Sequence, residues 1–331
     1  MINMPCIDLD LKDRKILYEL DLGARQSLSS IGRKVGLSKE VVNYRINRLT
    51  ELGIIKGFYA RIDSSRVGLV IFRTFIKLQN ILPEKEKEIV DYLISRPEVG
   101  WCVGVQGNWH LNLLFWARDN NHYLSFWKEF KAKYGNFISD YWTSVYGWFM
   151  NLPKGFLVGK KPQSFNPFIS GMQQKADLDE LDLKILKIIS ANSRTPLIDI
   201  ASQLGVSDKV VSYRLKRLEK EKVISGYGIS LDLEKMGYEY WKIHLNLKNY
   251  SEKRFKEMNN FCVQYPNIVY TDELIGGADF EIEGFFRGYS EVQFFMKQLR
   301  EKFDDILRDY GILLYYREYK LNLFPYSEST Q

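Results

Sequence analysis

From Asp8 to Leu20, the apolar residues Leu9, Ile16, Leu17 and Leu20 recur at helical spacing among polar neighbours. The stretch Ser27 to Val35 places Leu28, Ile31 and Val35 on one face. After Gly36, a third helix is predicted from Lys39 to about Leu52, with Val42, Ile46 and Leu49 as its inward stripe. Ser38 stands where its side-chain oxygen can cap that helix, Gly36 where a tight left-handed turn is needed, and Gly53 where the helix stops. Ile54-Ile55 and Phe58 to Ile62 read as extended chain, a short hairpin or wing. The pattern then changes. Ile71 to Leu78 reads as a strand, Glu84 to Ser95 as an amphipathic helix stopped by Pro97, and Val99 to Val105 as a strand. Gly107-Asn108 turns the chain into a third strand, His110 to Ala117. A helix over Asn121 to Tyr134 aligns Tyr123, Phe126, Trp127, Phe130 and Tyr134 on one face, and Phe137 to Val145 supplies a last strand. The order β-α-β-β-α-β is the ferredoxin-like signature.

The whole pattern recurs 169 residues later without a gap. Leu9-Asp10 returns as Leu178-Asp179, and the run Val41 to Leu49 (VVNYRINRL) as Val210 to Leu218 (VVSYRLKRL). Gly68 returns as Gly237, Pro97 as Pro266 and Tyr141 as Tyr310. A repeat of this length is a set of domains, not a solenoid unit. The predicted class is α+β: two tandem units, each a winged helix-turn-helix followed by a ferredoxin-like domain. The expected boundaries are 1–62 and 63–151 for the first unit, 177–232 and 233–326 for the second, with 152–176, rich in Pro, Gly, Lys, Gln and Ser, as a linker.

Composition narrows the function. The 331 residues are 45% hydrophobic and 27% charged, typical of a globular protein, with a high aromatic content of 15%. Met1 to Asp13 contains no apolar run fit for a signal peptide, and no segment approaches a membrane span, so the expectation is a cytoplasmic protein without a membrane partner. Cys6, Cys102 and Cys262 lack ligand spacing and are expected to be reduced thiols. The formal charge of +6 is mild, but its placement is informative. Arg25, Arg33, Lys34, Lys39, Arg45, Arg48 and Lys56 cluster around the third helix, and Arg194, Lys209, Arg214, Lys216, Arg217, Lys220 and Lys222 around its copy. Positive charge gathered twice in the same place suits a polyanion.

Gly36-Leu37-Ser38 and Gly205-Val206-Ser207 sit between short helices, the arrangement of a helix-turn-helix whose second helix enters the DNA major groove. The candidate DNA-binding residues are Ser38, Lys39, Asn43, Tyr44, Arg45, Asn47 and Arg48, with Ser207, Lys209, Ser212, Tyr213, Arg214, Lys216 and Arg217 in the second copy. Asn can pair with adenine edges, and Lys with guanine or phosphate. Arg45 and Arg214 have a second reading, as structural partners of Asp13 or Asp182. The pattern Leu9-Asp10, Asp13, Ile16-Leu17, Ile31, Gly36-Leu37-Ser38, Val42, Arg45-Ile46, Arg48-Leu49, Gly53-Ile54-Ile55, Gly57 resembles the Lrp/AsnC family of transcriptional regulators, with each half similar to one complete member. The resemblance implies a winged helix-turn-helix joined to a ferredoxin-like RAM domain that assembles oligomers and can bind amino acids. It also implies double-stranded DNA as partner, and a homo-oligomer or an intrachain pseudo-dimer.

The family's effector loop commonly carries Gly followed three positions later by Asp. Gly276-Gly277-Ala278-Asp279 fits that spacing; in the first copy Gly107 is followed by His110 instead. A tight turn without ligand is the alternative for both. His110, His122 and His244 share no metal spacing, no nucleotide or hydrolase motif stands in its required context, and neither metal, cofactor nor enzymatic activity is expected. Two other functions compete. Siroheme decarboxylases are similar in fold, and Trp109 to Phe115 echoes only the end of their strand motif. A sensor or assembly protein that no longer binds DNA is the other.

Overall fold

The computed structural model describes residues 6–160, 168–171 and 173–324. The first head contains α1 (Leu11–Leu22), α2 (Leu28–Val35) and α3 (Lys39–Glu51). Each helix begins at a side-chain cap: Asp10, Ser27 and Ser38 accept the backbone N–H three residues on, satisfying a donor the helix leaves open. Gly36 ends α2 at φ 68° and ψ 51°, the left-handed geometry that a Cβ would oppose. Gly32 lets the turn close: a Cβ there would lie 2.6 Å from the Leu37 carbonyl oxygen.

The chain continues through β1 (Ile55–Ile62), then β2 (Val70–Leu78), α4 (Pro83–Ser95), β3 (Val99–Gln106), β4 (Leu111–Ala117), α5 (Asn120–Tyr134), β5 (Ile138–Asn151) and a short β6 (Phe168–Ser170). The second unit repeats the series as α6 (Glu180–Ala191), α7 (Leu197–Leu204), α8 (Asp208–Lys220), β7 (Ile224–Leu231), β8 (Glu239–Leu247), α9 (Glu252–Gln264), β9 (Ile268–Ile275), β10 (Phe280–Phe286), α10 (Tyr289–Phe303) and β11 (Leu307–Leu321).

Within each unit the strands lie in ferredoxin order, β5-β2-β4-β3 and β11-β8-β10-β9. The two sheets then join at both edges, β3 to β11 and β5 to β9, and close an eight-stranded barrel. Closure leaves no exposed barrel edge to pair with another chain. The final strands make this possible. β5 pairs with β2 as far as Val145 and with β9 from there to Asn151, while β11 pairs with β8 up to Tyr315 and with β3 from Leu314 onward. The strand predicted to end at Val145 therefore runs six residues further, because its second part belongs to the other unit's sheet.

The wing also differs from expectation. β1 is one strand, not a hairpin, and it pairs antiparallel with β7. Tyr59 stands opposite Gly228, its own repeat equivalent, so a pseudo-twofold axis passes through that pair. Each head packs against the opposite unit's ribbon: Ile16, Leu17 and Leu49 share a core with Ile229, Leu233 and Met236, and Ile185, Leu186 and Leu218 with Ala60 and Ile62. The duplication thus folds as an intrachain pseudo-dimer whose units exchange packing surfaces. The expected linker is no slack tether at its start. Leu152 to Leu157 is buried, Phe156 and Leu157 complete the first head's core, and Lys154 pairs with Asp21 at 2.6 Å. Positions 161–167 and 172 of that linker lie outside the described residues.

Candidate nucleic-acid interface and barrel interior

Val42, Ile46 and Leu49 anchor α3 in the first head, and Val211, Leu215 and Leu218 anchor α8 in the second. The helical period then turns Lys39, Asn43, Tyr44 and Asn47 outward, and likewise Lys209, Tyr213 and Lys216; Ser212 is half-buried. Tyr44 and Tyr213, repeat equivalents, are each 66% exposed on these outer faces. Ser38 and Ser207 are also exposed, but their oxygens accept from Val41 N and Val210 N at 3.3 Å, so they cap the recognition helices.

The paired arginines are held by carboxylates of the first helix of each head. Arg45 Nη1 donates to Asp10 Oδ2 at 2.6 Å and to Asp13 Oδ1 at 2.8 Å, and Arg48 donates to Asp13 Oδ2. The second head repeats this clamp: Arg214 bonds Asp179 at 2.5 Å and Asp182 at 3.2 Å, and Arg217 bonds Asp182. The Arg45 guanidinium holds the Asp10 carboxyl below its ordinary range. Asp13 and Asp182 are buried, so the structural reading of Arg45 and Arg214 describes these contacts and extends to Arg48 and Arg217. Asp13→Ala should destabilise the first head by roughly 1–3 kcal/mol, the scale of charged hydrogen bonds. Hydrogen exchange should show α1–α3 losing protection while α6–α8 keep theirs.

Two further basic residues of the predicted cluster are spent on the fold. Arg25 donates to the Ser193 carbonyl at 2.7 Å and lies over the Tyr227 ring, and Arg194 lies over Phe58.

The candidate effector loop anchors a strand end in both halves. Asp279 Oδ2 accepts from Leu247 N at 2.7 Å, and His110 Nδ1 accepts from the equivalent Leu78 N at 2.9 Å. Asp and His therefore do the same job in the two halves, with the His110 proton on Nε2. Gly276 and Gly277 have φ of 81° and 90°, and a Cβ on Gly277 would strike Trp142 of the other unit at 2.5 Å. Gly107 likewise approaches Leu313, and Ala278 is buried. The glycines are explained by close packing between the units.

Sequence reasoning missed the barrel interior. Arg73 on β2 and Lys242 on β8, repeat equivalents, meet Asp272, Glu281 and Glu283, all buried. Arg73 reaches Glu281 at 3.0 Å, Glu283 at 2.9 Å and Asp272 at 3.4 Å; Lys242 reaches Glu281, Glu283 and Asp272 at 2.5, 2.8 and 2.9 Å. Tyr146 bonds Arg73, and Tyr240 bonds Glu283. Among the described residues, the cluster sets three carboxylates against two cations. Burial raises Asp272 to about 6, whereas Lys242 and Arg73 hold Glu283 down at about 2 despite its burial. His244, 3.6 Å from Glu281, is pushed by burial down to about 4.

The two outer shifts act oppositely on stability. The folded protein binds the Asp272 proton more tightly than the unfolded chain, so that contribution is present at low pH and lost as pH rises toward about 6. The folded protein disfavours the His244 proton, so that contribution is present above the ordinary value of 6.5 and lost as pH falls toward about 4. Asp272→Asn removes only the first. Its stability relative to wild type should improve as pH rises from about 4 to about 6, as read by urea denaturation, and a flat difference would show that Asp272 is ionised throughout.

Two helix-turn-helix heads on one pseudo-symmetric barrel define a winged helix-turn-helix protein. A family model described as winged helix-turn-helix DNA-binding matches residues 9–56 and 178–225. The proline dehydrogenase transcriptional activator of Rhodobacter capsulatus is 34% identical over 117 residues, 35% of this chain and 75% of that protein. The HTH-type transcriptional regulator LrpA of Pyrococcus horikoshii is 44% identical over 61 residues, 18% of this chain and 43% of that protein. The crystal structure of the siroheme decarboxylase NirDL superposes with a TM-score of 0.65 over 96% of both chains at 15% identity, a likeness of fold. The chain belongs to the Lrp/AsnC family of transcriptional regulators, with two family units fused in tandem.

Among the described residues, no helix is long and apolar enough to cross a membrane.

Proposed function

We propose that the protein is a sequence-specific DNA-binding transcriptional regulator whose two unequal heads read dissimilar half-sites. The observation that carries this reading is the outward set Lys39, Asn43, Tyr44 and Asn47 on α3 against Lys209, Tyr213 and Lys216 on α8, fixed on a shared ribbon. The relatives' names as transcriptional regulators support it. Arg45, Arg48, Arg214 and Arg217 act as positioning residues that brace the recognition helices and turn their outer faces toward phosphates. One chain supplies both heads, so one chain occupies an operator of helical-turn half-site spacing.

Because Asn43 and Asn47 are replaced by Ser212 and Lys216, the preferred site is an imperfect palindrome. Selection from genomic DNA followed by footprinting tests this; a consensus that is a perfect inverted repeat would contradict it. Adding siroheme should give no tight complex with a Soret band, and such a band would favour the enzymatic alternative.

A further inference from the structure

Between the β1–β7 ribbon and the barrel mouth lies a cavity of about 190 Å³, walled by Tyr59, Trp101, Tyr146, Tyr240, Tyr270 and Phe285 among others. A dry engineered cavity of about 150 Å³ admits benzene, so this space suits one aromatic ring with small substituents. Its charged groups form two poles, apart from Glu318, which is held by Lys56 at 3.0 Å and by the Trp101 indole N–H at 3.1 Å. On the ribbon side stand Arg61 and buried Lys154; among the described residues the only carboxylate paired with either is Asp21, at 3.6 and 2.6 Å, so one positive charge is in excess. On the barrel side stand Arg73, Asp272 and Glu283, part of the cluster in which one negative charge is in excess. Two donors of the lining side chains lack a hydrogen-bond partner among the described residues: Arg61 Nε on the ribbon side and Arg73 Nε on the barrel side. Arg73 is 2% exposed, and an unpaired buried donor is costly unless something fills its place.

We propose that this cavity binds a small aromatic acid carrying a ring hydroxyl. The carboxylate takes the excess positive charge at Arg61 and Lys154. The hydroxyl accepts from Arg73 Nε and donates to the Glu283 or Asp272 carboxylate, a dual role that a plain ring or a second anion cannot fill. The aromatic walls stack on the ring. Because Tyr59, Arg61 and Ile229 belong to the ribbon on which both heads pack, an occupied cavity favours one spacing of the heads. This last consequence rests on the proposed function; the binding itself does not.

The test is titration of the full chain with para-hydroxybenzoate, followed by calorimetry and by the fluorescence of Trp101 and Trp116, which line the cavity. The expected result is saturable binding of one molecule per chain, at least about tenfold tighter than para-cresol, which lacks the carboxylate, or benzoate, which lacks the hydroxyl. Leu114→Phe, which fills the cavity without altering charge, should abolish binding, and Arg61→Gln should weaken it about tenfold or more; thermal unfolding of each variant verifies that it is folded. Should Arg61→Gln fail to fold, Leu114→Phe and the ligand series decide alone. No saturable binding, equal affinity for para-cresol, or unchanged binding in folded Leu114→Phe would overturn the proposal. Gel shifts in parallel separate the two readings, since DNA binding without ligand binding overturns only this inference, and ligand binding without DNA binding overturns only the regulator.

Discussion

Arg73→Met is expected to lower the unfolding free energy by roughly 3–5 kcal/mol, among the largest effects of any single substitution in this chain. Removing the guanidinium leaves Lys242 alone against Asp272, Glu281 and Glu283 in a buried site, and uncompensated buried charge is far more costly than a lost surface ion pair. Urea denaturation at neutral pH measures it, and a loss below about 1 kcal/mol would show that the cluster is solvated or reprotonated. Adding Glu281→Gln to Arg73→Met should recover part of the loss, because one unpaired carboxylate is removed with the cation. The same charges bear on why the pairing is intrachain. In the first unit, the positions equivalent to Asp272, Glu281 and Glu283 are Val103, Asn112 and Leu114. Two first units paired together would bury arginines without these partners, and two second units would bury twice three carboxylates around two lysines. Only the unlike pair comes near neutrality, so the interior favours pairing of unlike units.

The second large effect is on DNA. Replacing Lys39 and Asn43 together by Ala should cost roughly 1–3 kcal/mol of affinity for each base edge no longer hydrogen-bonded. It should also reduce the salt slope by about 0.9 for each phosphate no longer neutralised. Lys209 and Lys216 should behave alike in the second head. These side chains are outward-facing and outside the Asp13 and Asp182 clamps, so their removal leaves stability near wild type. Arg48→Ala would mix the two effects, because it also strips a partner from buried Asp13. Gel-shift titrations at several salt concentrations measure both quantities, and unchanged affinity and slope in both double variants would remove these helices from the interface.

The heads were legible in the sequence, because Gly36, Ser38 and the Val42, Ile46, Leu49 stripe are local signals whose meaning does not depend on distant residues, and the second copy repeats them. The ferredoxin order was legible for the same reason. Closure of the barrel was not, since the part of β5 from Tyr146 to Asn151 finds its partner in β9, more than a hundred residues away. Pairing of β1 with β7 was hidden likewise: a lone extended segment reads as half a hairpin until its partner is known. The interior cluster was masked because a carboxylate in an alternating strand ordinarily marks the solvent face. A comparison of the two halves could have exposed it, as the three carboxylates all fall in one unit at positions where the other carries Val, Asn and Leu. The loop at Asp279 was legible from spacing alone, and the structure adds a role that spacing does not reveal: His110 meets the same backbone N–H in the other half, so the position also anchors a strand end.

Whether one chain reads DNA through two distinct heads is decided by hydroxyl-radical footprinting of wild type and the two head-specific double variants on one selected fragment. Lys39→Ala with Asn43→Ala should remove protection from one half-site, and Lys209→Ala with Lys216→Ala from the other, while wild type protects both with one chain bound. Protection that fades equally over both half-sites in either variant, or that survives in both, would refute reading by two separate heads.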